Sequence, residues 1–336
     1  MISIVTNVDE INRVEWSNFV LNHPQGNIFQ TPEMYDLYKV TNNYTPIVFV
    51  AINDLKIVGV LLATIIVNGK SIINFLTKRS IITGGPIAKD NNIEITHLLI
   101  DAYNKCAKKN NVIYTQIRPI YESNDIFNQL LAKGYCRKGH YNLMLDLTQT
   151  YDTLYSNLHK ERKRNINQAE KAGLEFKKID SDNDIQEISR LIVSTYKRKG
   201  VPLGYDDMFI KSKQLLPNNV RFFAAYYEGK MIGGQIRLCY KNLVYAWFAG
   251  SDDEYLKKRP NDFLLWNVIK WSQENRYSIF DFGGGGEPGV PYGVRDYKLK
   301  YGCQMYDFGR LESHHKPLLY WMASTAYKLF HKIRGK

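Results

Sequence analysis

Apolar residues follow two different periods along this chain, and the alternation between them repeats. Over Ile47–Val67 (IVFVAINDLKIVGVLLATIIV), β-branched and aromatic residues flank a polar turn at Asn53-Asp54, the pattern of a β-hairpin. The stretch 222–240 (FFAAYYEGKMIGGQIRLCY) repeats it around Glu228-Gly229. Laid over one another, the two texts put Ala51 on Ala225, Lys56 on Lys230, Val58 on Ile232 and Gly59 on Gly233. After the first hairpin, Ile95–Asn110 carries Leu98, Leu99, Ala102, Tyr103 and Cys106 at helical spacing and leads into a strand over Val112–Ile117. After the second, Phe263–Asn275 reads as the helix and Ser278–Phe282 as the strand. Hairpin, strand, helix, strand, recurring at a domain-length interval, predicts a duplicated α/β domain with mixed sheets rather than a solenoid. A chain of 336 residues has room for two cores, and we divide it into 1–148 and 149–336.

Two further segments read as helices. Tyr151–Ala172 holds good helix formers and ends at Gly173, a C′ residue. Within it, Lys160–Arg164 has four positive charges in five residues, either a solvated helix face or a phosphate-facing patch. At the C-terminus, Pro317 suits a first helical turn. Leu318, Leu319, Met322, Ala326, Leu329, Phe330 and Ile333 then recur at helical spacing, beside Lys328, Lys332, Arg334 and Lys336. Two readings stand: the helix packs its apolar face on the second domain, or residues 316–336 lie on an anionic membrane, where Tyr320 and Trp321 suit the interface.

Charge adds a partner class. Lys and Arg exceed Asp and Glu by 12, which favours polyanions such as nucleotide-sugars, RNA or an anionic membrane face. Cys106, Cys136, Cys239 and Cys303 are scattered without a C-x-x-C pair, against a disulfide framework or zinc site. The start of the chain lacks a basic segment followed by an apolar one, and the longest apolar run, Gly59–Val67, is too short to span a bilayer. The expectation is a cytoplasmic protein, peripheral at the inner face of the membrane in the second reading of 316–336.

Gly284–Gly289 (GGGEPG) satisfies G-x-G-x-x-G after a strand, but a dinucleotide site needs a helix opening at the third glycine. Val290-Pro291-Tyr292-Gly293 follows instead, which reads as a stretch unable to start a regular helix. The repeat itself resembles the GNAT acetyltransferases, in which a glycine-rich loop and a helix N-terminus hold the coenzyme A pyrophosphate. The corresponding loop here, Ser251–Asn261 (SDDEYLKKRPN), has no glycine, and Arg79–Asp90 in the first half does not fit the pattern either.

With both halves laid out, the chain resembles the Fem group of peptidoglycan-bridge aminoacyltransferases (FemA, FemB and FemX types), tandem GNAT-like proteins that move an amino acid from aminoacyl-tRNA to a muropeptide amine. Phe29-Gln30-Thr31-Pro32 followed by Lys39, Gly85-Pro86, Asn165–Gly173 (NINQAEKAG), Asp281-Phe282-Gly283-Gly284 and Tyr297–Gly302 (YKLKYG) are similar to the family's segments in order and spacing. Met34 stands where Trp is usual and Tyr297 where Phe is, and no segment is left over for the long two-helix arm of the larger members.

The resemblance implies catalytic roles for Lys298, as the cation near the oxyanion and leaving ribose oxygen, and for Tyr297, shaping the donor site. It also implies phosphate ligands at Lys39 and Arg198, with Arg295 and Arg237 as weaker candidates, and substrate contacts at Gly283 and Gly284. Each has a plain alternative: edge or surface lysines, a packing aromatic, solvated arginines. Asp281 is either a carboxylate near the site or the end of a strand, Cys303 reads as packing, and His314-His315 as a turn or surface pair. No metal or resident cofactor is expected. Aminoacyl-tRNA is the donor and a nucleotide- or lipid-linked muropeptide precursor the acceptor. The alternatives are a coenzyme-A-dependent N-acyltransferase acting on an amino sugar, and a non-enzymatic RNA- or membrane-binding protein.

Overall fold

A computed structural model describes residues 1–67, 77–122, 124–201, 203 and 207–334. The chain forms two compact units, residues 1–139 with 308–336, and residues 140–307.

The first unit opens with β1 (Ser3–Val5), α1 (Arg13–Asn22) and α2 (Pro32–Val40). Then come the hairpin β2 (Tyr44–Asn53) and β3 (Lys56–Ile66), followed by β4 (Arg79–Thr83) and β5 (Ile87–Ala88). α3 (Ile93–Lys109) leads to β6 (Tyr114–Arg118), α4 (Asn124–Leu131) and β7 (Cys136–Lys138). Its sheet runs β1-β2-β3-β4-β6, then β15 (Arg310–His314) and β7, with β5 pairing on β3. One face buries Leu99, Ile100 and Tyr103 of α3 against Phe49, Leu61, Ala63 and Ile117.

The second unit holds β8 (Tyr141–Asp146), α5 (Tyr151–Ser156), α6 (Lys160–Lys171), β9 (Glu175–Ile179), α7 (Asp182–Arg198) and α8 (Asp207–Leu215). The hairpin β10 (Val220–Tyr227) and β11 (Lys230–Tyr240) precedes β12 (Leu243–Ser251), α9 (Pro260–Glu274), β13 (Ile279–Gly284), α10 (Gly293–Leu299) and β14 (Gln304–Asp307). The order is β14-β8-β13-β12-β11-β10-β9. Phe263, Leu264, Trp266 and Ile269 of α9 are buried in its core.

The internal repeat holds in detail. Ala51 pairs with Gly59 and Ala225 with Gly233, and a bulge follows each pair on the same strand. A Cβ on Gly59 would lie 2.6 Å from Cγ2 of Ile95 on α3, and one on Gly233 3.0 Å from Cδ1 of Leu264 on α9. In both copies the glycine lets the helix close onto the hairpin.

Several expectations change. The first hairpin turns at Asp54-Leu55, one residue later than expected, because Asn53 pairs with Lys56. The run over Tyr151–Ala172 is two helices, since the backbone breaks around Asn157–His159 and His159 starts α6 by accepting from the Glu161 N–H at 3.2 Å. Gly173 does close α6, at φ +81°, with the Leu174 N–H reaching Ala169 O at 3.2 Å. A short helix does begin at Gly293, though not at Gly289. The division at 148/149 differs most. β15 and the terminal helix α11 (Pro317–Arg334) belong with the first unit, the strand pairing with β6 and β7. Tyr320 of α11 packs its ring edgewise on Tyr114 at 5.1 Å and stacks on His314 at 3.8 Å, so the first turn of this helix packs on the first unit. His314 is therefore a strand residue, and His315 is half-buried, its Nε2 2.8 Å from the Thr115 hydroxyl, in place of the expected surface pair.

Candidate active site

The second unit has a parallel strand pair that does not stay together. β12 and β13 pair only over Leu243–Tyr245 and Ile279–Asp281. Beyond that β12 continues to Ser251, while β13 bulges against β8 between Asp281 and Gly284. Tyr245 through Ala249 on β12 are half-buried along this parting, neither packed in the core nor fully wet. Gly283 takes φ +73°, a conformation glycine adopts without strain, and so turns the end of β13 aside.

α10 carries Lys298 into this parting. Its half-buried ammonium donates to the Gly284 carbonyl at 2.7 Å. Burial lowers its pKa to about 8, with the nearby Asp281 carboxyl opposing and Arg237 reinforcing the shift. Asp281 is fully buried at the last position of β13 that pairs with β12. One carboxyl oxygen accepts the Gly283 N–H at 2.6 Å, and the other has no hydrogen-bond partner among the described residues. Burial raises its pKa to about 7 against the opposing pull of that N–H and of Lys298. A lysine and a carboxyl with pKa values near neutrality, where two strands part, mark a candidate functional site.

Of the expected phosphate ligands, Arg237 is a buried side chain. Its guanidinium donates to the Ile236 carbonyl at 3.0 Å and the Phe248 carbonyl at 3.2 Å, and bonds the Gln235 side chain, at the bulge between β11 and β12. Burial brings its pKa down to about 10. With 2% exposure it is bonded within the sheet rather than presented outward as a phosphate ligand would be. Arg295 on α10 donates to the carbonyls of Gly285, Glu287 and Val290 at 3.3, 3.1 and 2.7 Å and so fastens the glycine loop. Arg198, at the end of α7, donates to Ser251 O at 3.0 Å and meets Asp253 at 3.2 Å, beside the far end of β12. Gly284 supplies the carbonyl that holds Lys298, and a Cβ there would lie 2.7 Å from His140 Nε2. Tyr297 packs beside the core of this unit, and Cys303 is buried with its thiol on Lys298 O at 3.2 Å, its pKa pushed up to about 12 by burial. Lys39 lies in the first unit, exposed in the last turn of α2.

The other motifs explain themselves in the first unit. The Gln30 side chain donates to Gly85 O at 2.8 Å and accepts from Asn27 N at 3.0 Å, while Trp16 Nε1 donates to Gln30 O at 2.7 Å. The Phe29–Pro32 and Gly85-Pro86 segments thus meet as a structural clamp.

The loop before α9 lacks glycine, as expected, and forms a 3-10 turn over Asp253–Lys258. Arg259 follows at φ +63°, and Asp262 is buried in the first turn of α9. Sequence reading missed Asp262 and the way Arg162, Asn165 and Tyr301 converge on it. Arg162 donates to its carboxylate, Asn165 does so at 2.8 Å, and the Tyr301 hydroxyl does so at 2.8 Å. The one available signal was the placement of Tyr297 and Tyr301 a helical turn apart.

Residues 11–134 match the FemAB family and residues 156–299 match an acetyltransferase (GNAT) domain. The chain resembles the FemAB family in its first part and a GNAT domain in its second, with a tandem GNAT-like fold. Both matches make this FemAB-like chain an acyl- or aminoacyltransferase enzyme. No curated protein sequence matches it. Among solved structures, the crystal structure of FemX superposes with a TM-score of 0.73 at 15% identity, covering 95% of this chain and 99% of that one. A tandem GNAT protein from the clavulanic acid biosynthesis pathway gives 0.60 at 12% identity, covering 94% and 99%. The C-terminal domain of a putative lysylphosphatidylglycerol synthetase from Agrobacterium fabrum gives 0.53 at 14%, covering 78% and 85%. At such identities the likeness is one of fold.

Proposed function

We propose that this FemAB-like enzyme transfers an aminoacyl group from aminoacyl-tRNA to an amine of a peptidoglycan or other cell-envelope precursor. The observation that carries the reading is the entrance to α9. A coenzyme-A donor needs glycine backbone and a free helix N-terminus for its pyrophosphate. Here the approach has no glycine, and the Asp262 carboxylate already occupies the first turn. The parting of β12 and β13, with Lys298 beside it, remains available for an ester carbonyl. In this reading the acceptor amine attacks the carbonyl carbon of the aminoacyl ester, and the C–O bond to the ribose breaks as the ammonium of Lys298 stabilises the developing oxygen charge. The proton the amine loses ends on the ribose hydroxyl. Tyr297 lines the donor side. In the second unit Arg198 takes a phosphate of the acceptor, with Arg295 and the Gly283-Gly284 backbone contributing contacts, and Lys39 is the phosphate ligand of the first unit. No metal or resident cofactor takes part.

Purified protein, charged tRNA and a nucleotide-linked muropeptide should yield an extended muropeptide by mass spectrometry. Stoichiometric micromolar binding of coenzyme A by calorimetry, with no tRNA-dependent product, would replace this reading with acylation of an amino sugar.

The same reading places the enzyme at the inner face of the membrane through α11, where a lipid-linked acceptor would be met. No helix among the described residues is long and apolar enough to cross a membrane. α11 is anchored at Tyr320, yet Leu318, Trp321 and Met322 stand 71%, 63% and 47% exposed. The side chains beyond residue 325, including Lys328 to Lys336, lie outside the described residues. Full-length protein should co-sediment with phosphatidylglycerol vesicles at low salt, and the Leu318→Ser/Trp321→Ser variant should stay in the supernatant while remaining folded. Equal sedimentation of the two would end the membrane assignment.

A further inference from the structure

Four of the five residues of the Lys160–Arg164 run are basic, and one of them does not face water. Arg162 is buried, and its guanidinium faces three groups at once. It donates to the Asp262 carboxylate and, at 2.6 Å, to Glu161, and its guanidinium carbon lies 4.8 Å from the centre of the Tyr297 ring. Glu161 in turn accepts from Lys300 at 2.6 Å, and the His159 N–H reaches Lys300 O at 2.9 Å. Tyr301 is fully buried, donates to Asp262 at 2.8 Å, and its oxygen lies 3.0 Å from the Tyr297 hydroxyl. A phenol has one proton, so Tyr301 spends its own on Asp262 and Tyr297 donates to Tyr301. Burial holds both phenols neutral. The donor chain therefore runs from Tyr297 through Tyr301 to Asp262, and Arg162 closes it back onto the Tyr297 ring.

We propose that Arg162 and Asp262 are positioning residues: acting through Tyr301 and Tyr297, they fix α10 so that Lys298 stays half-buried at the parting of β12 and β13. The inference rests on the reading of Lys298 as the catalytic cation. Fold stability alone gives little reason for the arrangement, because a buried ion pair is often matched or bettered by apolar residues of the same volume. Its geometry is one-sided. α6 and α9 supply the ion pair, Asn165 and Glu161 of α6 bond to it at 2.8 and 2.6 Å, and its contacts beyond those two helices end on residues 297–301, the segment that carries Lys298.

The test reads Lys298 directly. Competitive acetic anhydride labelling across pH, resolved by mass spectrometry on the peptide holding Lys298 and Lys300, gives the titration of each amine without any substrate. Three variants grade the perturbation: Tyr301→Phe cuts the donor chain and leaves the ion pair, Arg162→Lys keeps charge without the fork, and Asp262→Asn neutralises the centre. In wild-type protein Lys298 should titrate at about 8. Tyr301→Phe should move that value upward by half a unit or more as α10 loosens and water reaches the ammonium, while the thermal midpoint changes little. Transfer should fall in kcat by ~10-fold or more with KM nearly unchanged, the mark of a displaced catalytic group. An unmoved Lys298 titration in folded Tyr301→Phe, with kcat unchanged, would overturn the proposal and leave the network a packing device. Should the titration move while the wild-type enzyme transfers no aminoacyl group, positioning would stand and the function assigned to Lys298 would fall. If Asp262→Asn does not fold, Tyr301→Phe still decides.

Discussion

Each unit sets a helix between two parallel strands of its sheet, and the two parallel pairs end differently. In the first unit β4 and β6 pair along their whole length, from Arg79 with Tyr114 to Thr83 with Arg118, and the Gly84 N–H extends the contact to Arg118 O at 2.8 Å. In the second, β12 and β13 pair for three residues and part. Beside the closed pair, Tyr103, Thr115 and His315 form a hydrogen-bonded chain with distances of 2.6 and 2.8 Å, and among the described residues of the pair the one unmatched group is the Ser80 hydroxyl, which carries no charge. The open pair keeps a fully buried carboxyl, Asp281, with one oxygen unmatched. One plan thus serves two ends. Pairing two strands along their whole length makes a scaffold, and parting them beside a buried carboxyl makes a place for chemistry.

If that contrast is functional, Lys298→Met should be the most damaging single change. Losing one electrostatic stabiliser costs ~2–4 kcal/mol in the transition state, or roughly 10²–10³ in kcat. The fold should survive, because Met keeps the side-chain volume. Lys39→Met in the first unit should instead raise KM with kcat largely kept, as expected for a binding contact. Steady-state kinetics on both variants would break the comparison if Lys39 proved the kcat residue and Lys298 the KM residue.

The two units should also respond to pH in opposite senses. The folded pKa of Asp281, about 7, lies above its ordinary value of 3.8. Its stabilising contribution is therefore full below the unfolded value and is lost as pH rises through 7. The folded pKa of His315, about 4, lies below its ordinary value of 6.5 because burial, reinforced by Lys108 and His314, disfavours the charged ring. Its contribution is present above 6.5 and is lost as pH falls through 4. Thermal midpoints from pH 4 to 8 check both signs. Asp281→Asn should gain on wild type as pH rises from 4 to 7, and His315→Gln should gain as pH falls from 6.5 to 4. Parallel trends in the two variants would sink the assignment of these groups.

Much of this was readable beforehand, for identifiable reasons. Hairpins, helices and the tandem plan follow from periodicity, and the repeat fell on the residues that touch, Ala51 with Gly59 and Ala225 with Gly233. Local marks such as Gly173 and Pro317 named helix ends correctly. Long-range closure was not legible. Nothing in residues 308–314 says that the chain recrosses to pair β15 with β6, because an antiparallel strand carries no label for its neighbour. Nor could the run at 160–164 reveal that Arg162 turns inward while its neighbours stay out, since that depends on Asp262, a hundred positions away. Lys298 came from resemblance alone; its half-buried setting and the open oxygen of Asp281 are properties of the fold.

The smallest expected effect tests the repeat at its hairpins. Both turns need left-handed backbone at two residues: Asp54 and Leu55 at φ +48° and +64°, Glu228 and Gly229 at +48° and +77°. The second copy has glycine at the second place, and the first has Leu55, 91% exposed. A leucine there gains nothing from burial and bears the Cβ–carbonyl crowding of left-handed backbone, about 1 kcal/mol. Leu55→Gly makes Asp-Gly, a pair suited to this turn, and relieves the crowding. Glycine also frees the unfolded chain, which returns part of the gain. The net should be a stabilisation of roughly 0.5 kcal/mol by urea unfolding. Gly229→Leu introduces the crowding without that compensation, so the second unit should lose about 1 kcal/mol. A Cβ at Gly229 meets nothing within 4 Å, so any cost is backbone strain rather than collision. Should both substitutions shift stability the same way, the two turns are not equivalent and the repeat ends at the strands.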